Sequence, residues 1–69
     1  MSSVSEVKAH RYRWENYGGP SNFLVDPDTG RTIARISTLT RIEAFVEATG
    51  EWSIHASAEE AAHWIAERV

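Results

Sequence analysis

His55, Glu59 and His63 recur at four-residue intervals near the C-terminus, and imidazole with carboxylate at that spacing can ligate a metal when all three share a helix face. Ser53 and Ser57 flank the same histidine. A serine beside an imidazole is half of a nucleophilic relay, completed when a third group orients the ring. Glu43, Glu47 and Glu51 repeat at the same interval and supply the paired carboxylates of acid-base chemistry. Which of these chemistries is real depends on the elements that carry the residues.

Ser57 followed three residues later by Glu60 is a capping box, in which the serine hydroxyl accepts from the Glu60 amide and the Glu60 carboxylate reaches back to the amide of Ser57. A helix therefore starts at Ala58, with Glu59 and Glu60 complementing the positive end of its dipole. Ala61, Ala62, Trp64, Ile65 and Val69 form one apolar stripe, while Glu59, His63 and Glu67 face away. His55 precedes the cap on a strand, so the even spacing does not gather three ligands, and no metal centre is expected. Ser53 and His55 stand side by side on one strand face, Ser57 serves as a cap, and a domain this small offers no deep cleft for the glutamates. "YGGPS" lacks the G-x-x-x-x-G-K pattern of a phosphate loop. An enzyme is the least supported class, and no cofactor is expected.

The strands follow from alternation. In "AHRYRWEN", His10, Tyr12 and Trp14 point one way and Arg11, Arg13 and Glu15 the other, so a first strand is expected there, and cations and aromatics do not interleave on it. "YGGPS" ends it, with Tyr17 over the core edge. "NFLVDPDTGRTIARISTL" reads as a hairpin turned by Asp26 to Gly30. Phe23 and Val25 share a face of its first arm, and a β-bulge near Arg35 reconciles the uneven spacing of Ile33, Ile36 and Leu39. "TRIEAFVEATGEW" carries two patterns. Thr40 with Glu43 and a terminal Gly50 fit a helix, whereas Ile42, Ala44, Val46 and Ala48 alternate as a strand, which is the favoured reading. Trp52, Ile54 and Ala56 are then expected to face the core from a fifth strand, with Glu51, Ser53 and His55 outward and Phe45 on the outer face. Trp14, Trp52 and Trp64 are read as core or core-edge residues.

With 69 residues the chain has room for one domain, which buries only about 60% of the surface its unfolded form exposes. No cysteine is present to staple it, so packing must hold the fold. "MSSVSEVKAH" has neither the charged start nor the apolar stretch of a signal peptide, and no run approaches a membrane span, which makes the cytoplasm the default location. The net charge of -3 divides unevenly: +2 over residues 1 to 41 and -5 over residues 42 to 69. Such asymmetry suggests a binding face. Glu43, Glu47 and Glu51 on the sheet, with Glu59 and Glu67 on the helix, are candidates to meet a partner protein's basic surface. The alternative is a nucleic-acid binder using Arg11, Arg13, Arg31 and Arg35, opposed by the negative net charge. An exposed edge or apolar patch could also pair two copies into a homodimer.

The arrangement of "DPDTGRTIARI", then "RIEAFVEATGEWSIHAS" running into "AEEAAHWIAERV" with its S-x-E-E-A-x-x-W start, resembles small proteins encoded by bacteriophages and mobile elements. The resemblance implies a non-catalytic accessory protein that binds host machinery, anti-CRISPR inhibitors being one such kind. It transfers no site residues. The expected fold is α+β: an antiparallel meander of four to five strands with one C-terminal helix packed on one face, spanning residues 9 to 69 after a flexible N-terminus of residues 1 to 8.

Overall fold

The computed structural model describes residues 4–69. Five antiparallel strands lie in chain order, β1 (Arg13–Glu15), β2 (Ser21–Val25), β3 (Thr32–Ser37), β4 (Ile42–Val46) and β5 (Trp52–His55), and helix α1 (Ala58–Ala66) packs across β3, β4 and β5. The fold is α+β, a five-stranded meander with a C-terminal helix. The helix is not long or apolar enough to cross a membrane.

The same turn is used twice. At the β2–β3 hairpin the Gly30 amide donates to the Asp26 carbonyl at 2.8 Å and the Asp26 amide to the Arg31 carbonyl at 2.9 Å; at the β4–β5 hairpin Gly50 donates to Val46 and Val46 to Glu51, both at 2.9 Å. Each turn closes with a Thr-Gly pair whose glycine is left-handed, φ 77° at Gly30 and 73° at Gly50. A side chain there is strained. Residues 41–49 are therefore strand and turn, as alternation favoured.

The core is small and tightly filled. Leu24 from β2, Ala34 and Ile36 from β3, Ala44 and Val46 from β4, and Ala61, Ala62 and Ile65 from α1 are all at most 1% exposed. Four of these eight are alanines, so the helix axis comes close to the sheet without large side chains to hold it off. Tyr12, Trp14 and Trp64 close the rim of this cluster at partial burial. The Trp14 indole also donates to the Val7 carbonyl at 3.0 Å.

Several expectations are corrected. The first strand is shorter than its alternation, because His10 takes a left-handed φ of 55° and the Tyr12 amide turns back to the Ala9 carbonyl at 3.1 Å. The ordered fold begins before residue 9: Val4–Glu6 form a 3-10 turn and Val7 is buried, while residues 1–3 lie outside the described residues. The irregular register falls where Leu24 meets Ala34 but Val25 meets Thr32, which makes Ile33, rather than Arg35, the extra residue. Tyr17 is 72% exposed instead of covering the core edge. The largest correction concerns β5. Closing Val46 against Glu51 sets Trp52 opposite Phe45 and Ser53 opposite the buried Ala44, so Ser53 and His55 face the helix, while Trp52 (57% exposed) and Ile54 (50%) face away from it.

Arg11 fastens the segment before β1 to the first hairpin. Its guanidinium donates to both Asp26 carboxylate oxygens, at 2.8 and 3.0 Å, and to Asp28 at 3.0 Å. Asp26 also accepts from the Asp28 amide at 2.9 Å and, taken as a whole residue, is the one buried polar or charged residue among those described. The Arg11 bonds, then that amide, hold the Asp26 carboxyl below the usual carboxylate range. A depressed folded-state value adds stability above the free-chain value of about 3.9 and loses it as pH falls through the folded one. Asp26→Asn is expected to lower the urea midpoint at neutral pH and to flatten its decline toward acid. Wild-type and variant curves that stayed parallel between pH 7 and the acid limb would remove this role.

Candidate binding face of the sheet

Residues directly opposed across neighbouring strands point to the same side. On the side away from α1, the register aligns Glu15, Phe23, Arg35, Phe45 and Trp52 in one row across all five strands. The next row holds Ser21, Ser37, Glu43 and Ile54. At about 4.8 Å between strands, Phe23 and Trp52 lie about 14 Å apart with Arg35 and Phe45 between them. Tyr17 extends the first row by tilting over Phe23, ring centres 5.7 Å apart. Arg35 lies over the Phe45 ring at 5.4 Å. A shallow hollow opens beside it, lined by Arg35, Ser37, Arg41, Phe45 and Trp52 among others.

Most charge on this face is already paired. Arg13 donates to Glu15 at 3.0 Å, and Tyr17 donates to the same carboxylate at 2.5 Å. The tyrosine bond, then the arginine, holds the Glu15 carboxyl below its ordinary range, and the same bond raises the Tyr17 phenol. Arg41 donates to Glu43 at 2.5 Å. Among the described residues Arg35 alone has no carboxylate partner on this face, so an unpaired cation stands between two phenyl rings with an exposed indole beyond. Aromatic and cationic side chains do interleave here, unlike on the first strand, and Arg35 does so without its fellow candidates. Arg11 is spent on Asp26 and Asp28, Arg13 on Glu15, and Arg31 is exposed in the hairpin turn.

The acidic candidates do not gather into a row. Glu43 is tied to Arg41; Glu51 and Glu67 lie on either side of Arg68, at 3.9 and 3.8 Å; Glu47 lies in the β4–β5 turn and Glu59 in the first turn of α1. Arg68 itself lies 3.9 Å over the Trp64 ring.

The residues of the first question meet on the other side of the sheet, in a different grouping. His55 Nδ1 donates to the Glu60 carboxylate at 2.9 Å, and Nε2 shares a hydrogen bond with the Ser53 hydroxyl. This is a hydroxyl, imidazole and carboxylate in the order of a nucleophilic relay. Its setting is that of a tether. The His55 side chain is only 9% exposed and its ring lies 5.6 Å from that of Trp64, under the helix. Glu60 also accepts from the Ala56 amide at 3.4 Å, so the capping box closes one residue earlier than expected, while Ser57 accepts from the Glu60 amide at 3.1 Å. The His55 bond, then that amide, holds the Glu60 carboxyl below its usual range. Among the described residues no group of three or more His, Asp or Glu is placed to hold a metal ion.

Sequence reasoning places Phe45 on the outer face but misses the row it belongs to, because it takes Trp52 to be core. The available signal was the second Thr-Gly turn, which repeats the first and dictates the parity of β5. No family model matches the chain, and no curated protein or solved structure matches it significantly, so its function is read from this geometry.

The tryptophans divide accordingly. Trp52→Ala is expected to cost less than about 1 kcal/mol, the worth of a cross-strand pair, and Trp64→Ala about 2 kcal/mol or more, both read by urea unfolding; equal costs would mean Trp52 is a core residue after all. A fluorophosphonate probe is expected to leave Ser53 unmodified under conditions where the protein stays folded. Labelling abolished by Ser53→Ala would turn the tether into a reactive centre.

Proposed function

We propose that this chain is a non-catalytic protein-binding module whose contact surface is the helix-free face of its sheet. The observation that carries the reading is the half-exposed pair Trp52 and Ile54 beside Phe45 and the carboxylate-free Arg35. Tryptophan, tyrosine and arginine are the side chains that dominate binding energy when a partner excludes water from them. The partner is a protein with an apolar strip that carries a carboxylate to meet Arg35. Glu15 and Glu43 are occupied by their own arginines, so neither competes for that cation. The resemblance to phage and mobile-element proteins makes a host protein the natural partner. It meets an arginine and aromatics rather than the dispersed glutamates.

Phe23, Arg35 and Phe45 would also let bases stack. Nucleic-acid affinity, however, grows with the number of phosphates neutralised, and this face offers one unpaired cation in a chain of net charge -3.

The test compares wild type, Trp52→Ala and Arg35→Glu as bait in nuclease-treated host lysate, each first shown to be folded by circular dichroism. The expected outcome is a protein retained by wild type and weakened about tenfold or more in binding to either variant, with hydrogen-exchange protection on β4 and β5 in the purified complex. Equal retention by all three baits would refute the surface, and ligands that disappear with nuclease would favour nucleic acid.

A further inference from the structure

β5 is one of the two edges of the sheet. The Val46 amide donates to the Glu51 carbonyl at 2.9 Å, and from there the antiparallel ladder alternates. Ser53 and His55 consequently turn their backbone groups toward β4, and Trp52 and Ile54 turn theirs to the empty side. Helix α1 lies on the face of the sheet and leaves this edge open. The opposite edge is guarded: Arg13 and Glu15 place an ion pair on β1, and the segment holding Val7 is tied to it by Trp14. β5 has no lysine, proline or bulge, the devices that keep free edges apart.

We infer that β5 pairs antiparallel with β5 of a second copy, about a two-fold axis at Ser53. The argument is self-complementarity. Trp52 and Ile54 both have outward backbone groups, and in this register each exchanges hydrogen bonds with the other residue of the second copy. Opposed residues share a face, so the exposed indole of one copy lies beside the exposed isoleucine of the other, twice. A register centred on Ile54 would oppose Trp52 to Ala56, and one centred on Trp52 would bring the Gly50 turn into the ladder. Neither pairs the two large side chains with one another. Both helices then lie on one side, and the two aromatic rows join into one continuous face.

This inference does not rest on the partner-binding reading. Arg35→Glu, which tests that reading, leaves the edge untouched.

Sedimentation equilibrium over a wide concentration range is expected to show a monomer–dimer equilibrium. Ile54→Pro removes only an amide that points outward, as edge strands tolerate, and is expected to weaken dimerisation about tenfold or more; should it fail to fold, Ile54→Lys places a charge at the same position. Register is read by cysteine scanning in this cysteine-free chain. In the inferred dimer the two Ser53 residues form a non-hydrogen-bonded pair with Cα atoms about 4.5 Å apart, within reach of a disulfide. Ser53→Cys is expected to cross-link on mild oxidation, whereas Trp52→Cys and Ile54→Cys are not. A monomer at every concentration, or cross-linking at position 54 in preference to 53, would overturn the inference.

Discussion

Two glycines held in the left-handed region fix the register of the two hairpins β2–β3 and β4–β5, and the division of the sheet into two faces follows from it. Each lets a turn close with a hydrogen-bonded pair at its base, Asp26 with Arg31 and Val46 with Glu51. Because side chains alternate along a strand, that closure decides which half of each strand faces the helix. Shift the second closure by one residue and Ser53 and His55 would change places with Trp52 and Ile54. The extra residue at Ile33 is the one place where parity is relaxed, and its carbonyl is taken by the Glu47 amide at 3.0 Å. The two hairpins are thereby joined at that point.

The sheet spends its side chains unevenly. The side under the helix is built largely from alanine, valine and isoleucine, with two tryptophans at its rim, while Phe23, Phe45, Trp52 and Ile54 are on the side with no helix. A small domain has little apolar surface to spare for its own stability. An indole and an isoleucine left half in water contribute little to it, which is the ground for the proposed contact surface. Charge follows the same division. Arginines near carboxylates of the same chain are used to fasten loops and strand ends, and the one left over on the open face lies among rings.

Much of this was legible in the sequence. The Asp26–Gly30 turn, the alternation of Ile42 to Val46 and the Ser57 cap each state a local preference that the tertiary structure did not override. What failed was the step from hydrophobicity to burial. Trp52 and Ile54 were assigned inward because they are apolar, and Ser53 and His55 outward because they are polar, yet the turn placed them the other way and Glu60 satisfied the imidazole that this buried. The dispersal of the acidic candidates is hidden for a related reason. Counting charges along the chain shows the -5 excess of residues 42 to 69 but not that Arg41 and Arg68 fold back onto Glu43, Glu51 and Glu67. His10 fits the alternation of the first strand, but its left-handed backbone is a choice of tertiary context that alternation does not carry.

Ala34, Ala44, Ala61 and Ala62 have one more consequence, for how the protein can change over generations. Where helix and sheet meet through methyl groups, any larger side chain would force the two layers apart, so this interface is closed to drift. Among the described residues the outer rows pack against no helix, only against one another and neighbouring side chains, and so have more room to vary in size and charge. If the helix-free face is the contact surface proposed above, specificity and foldability lie on opposite sides of one sheet, and recognition can change without altering how the chain folds.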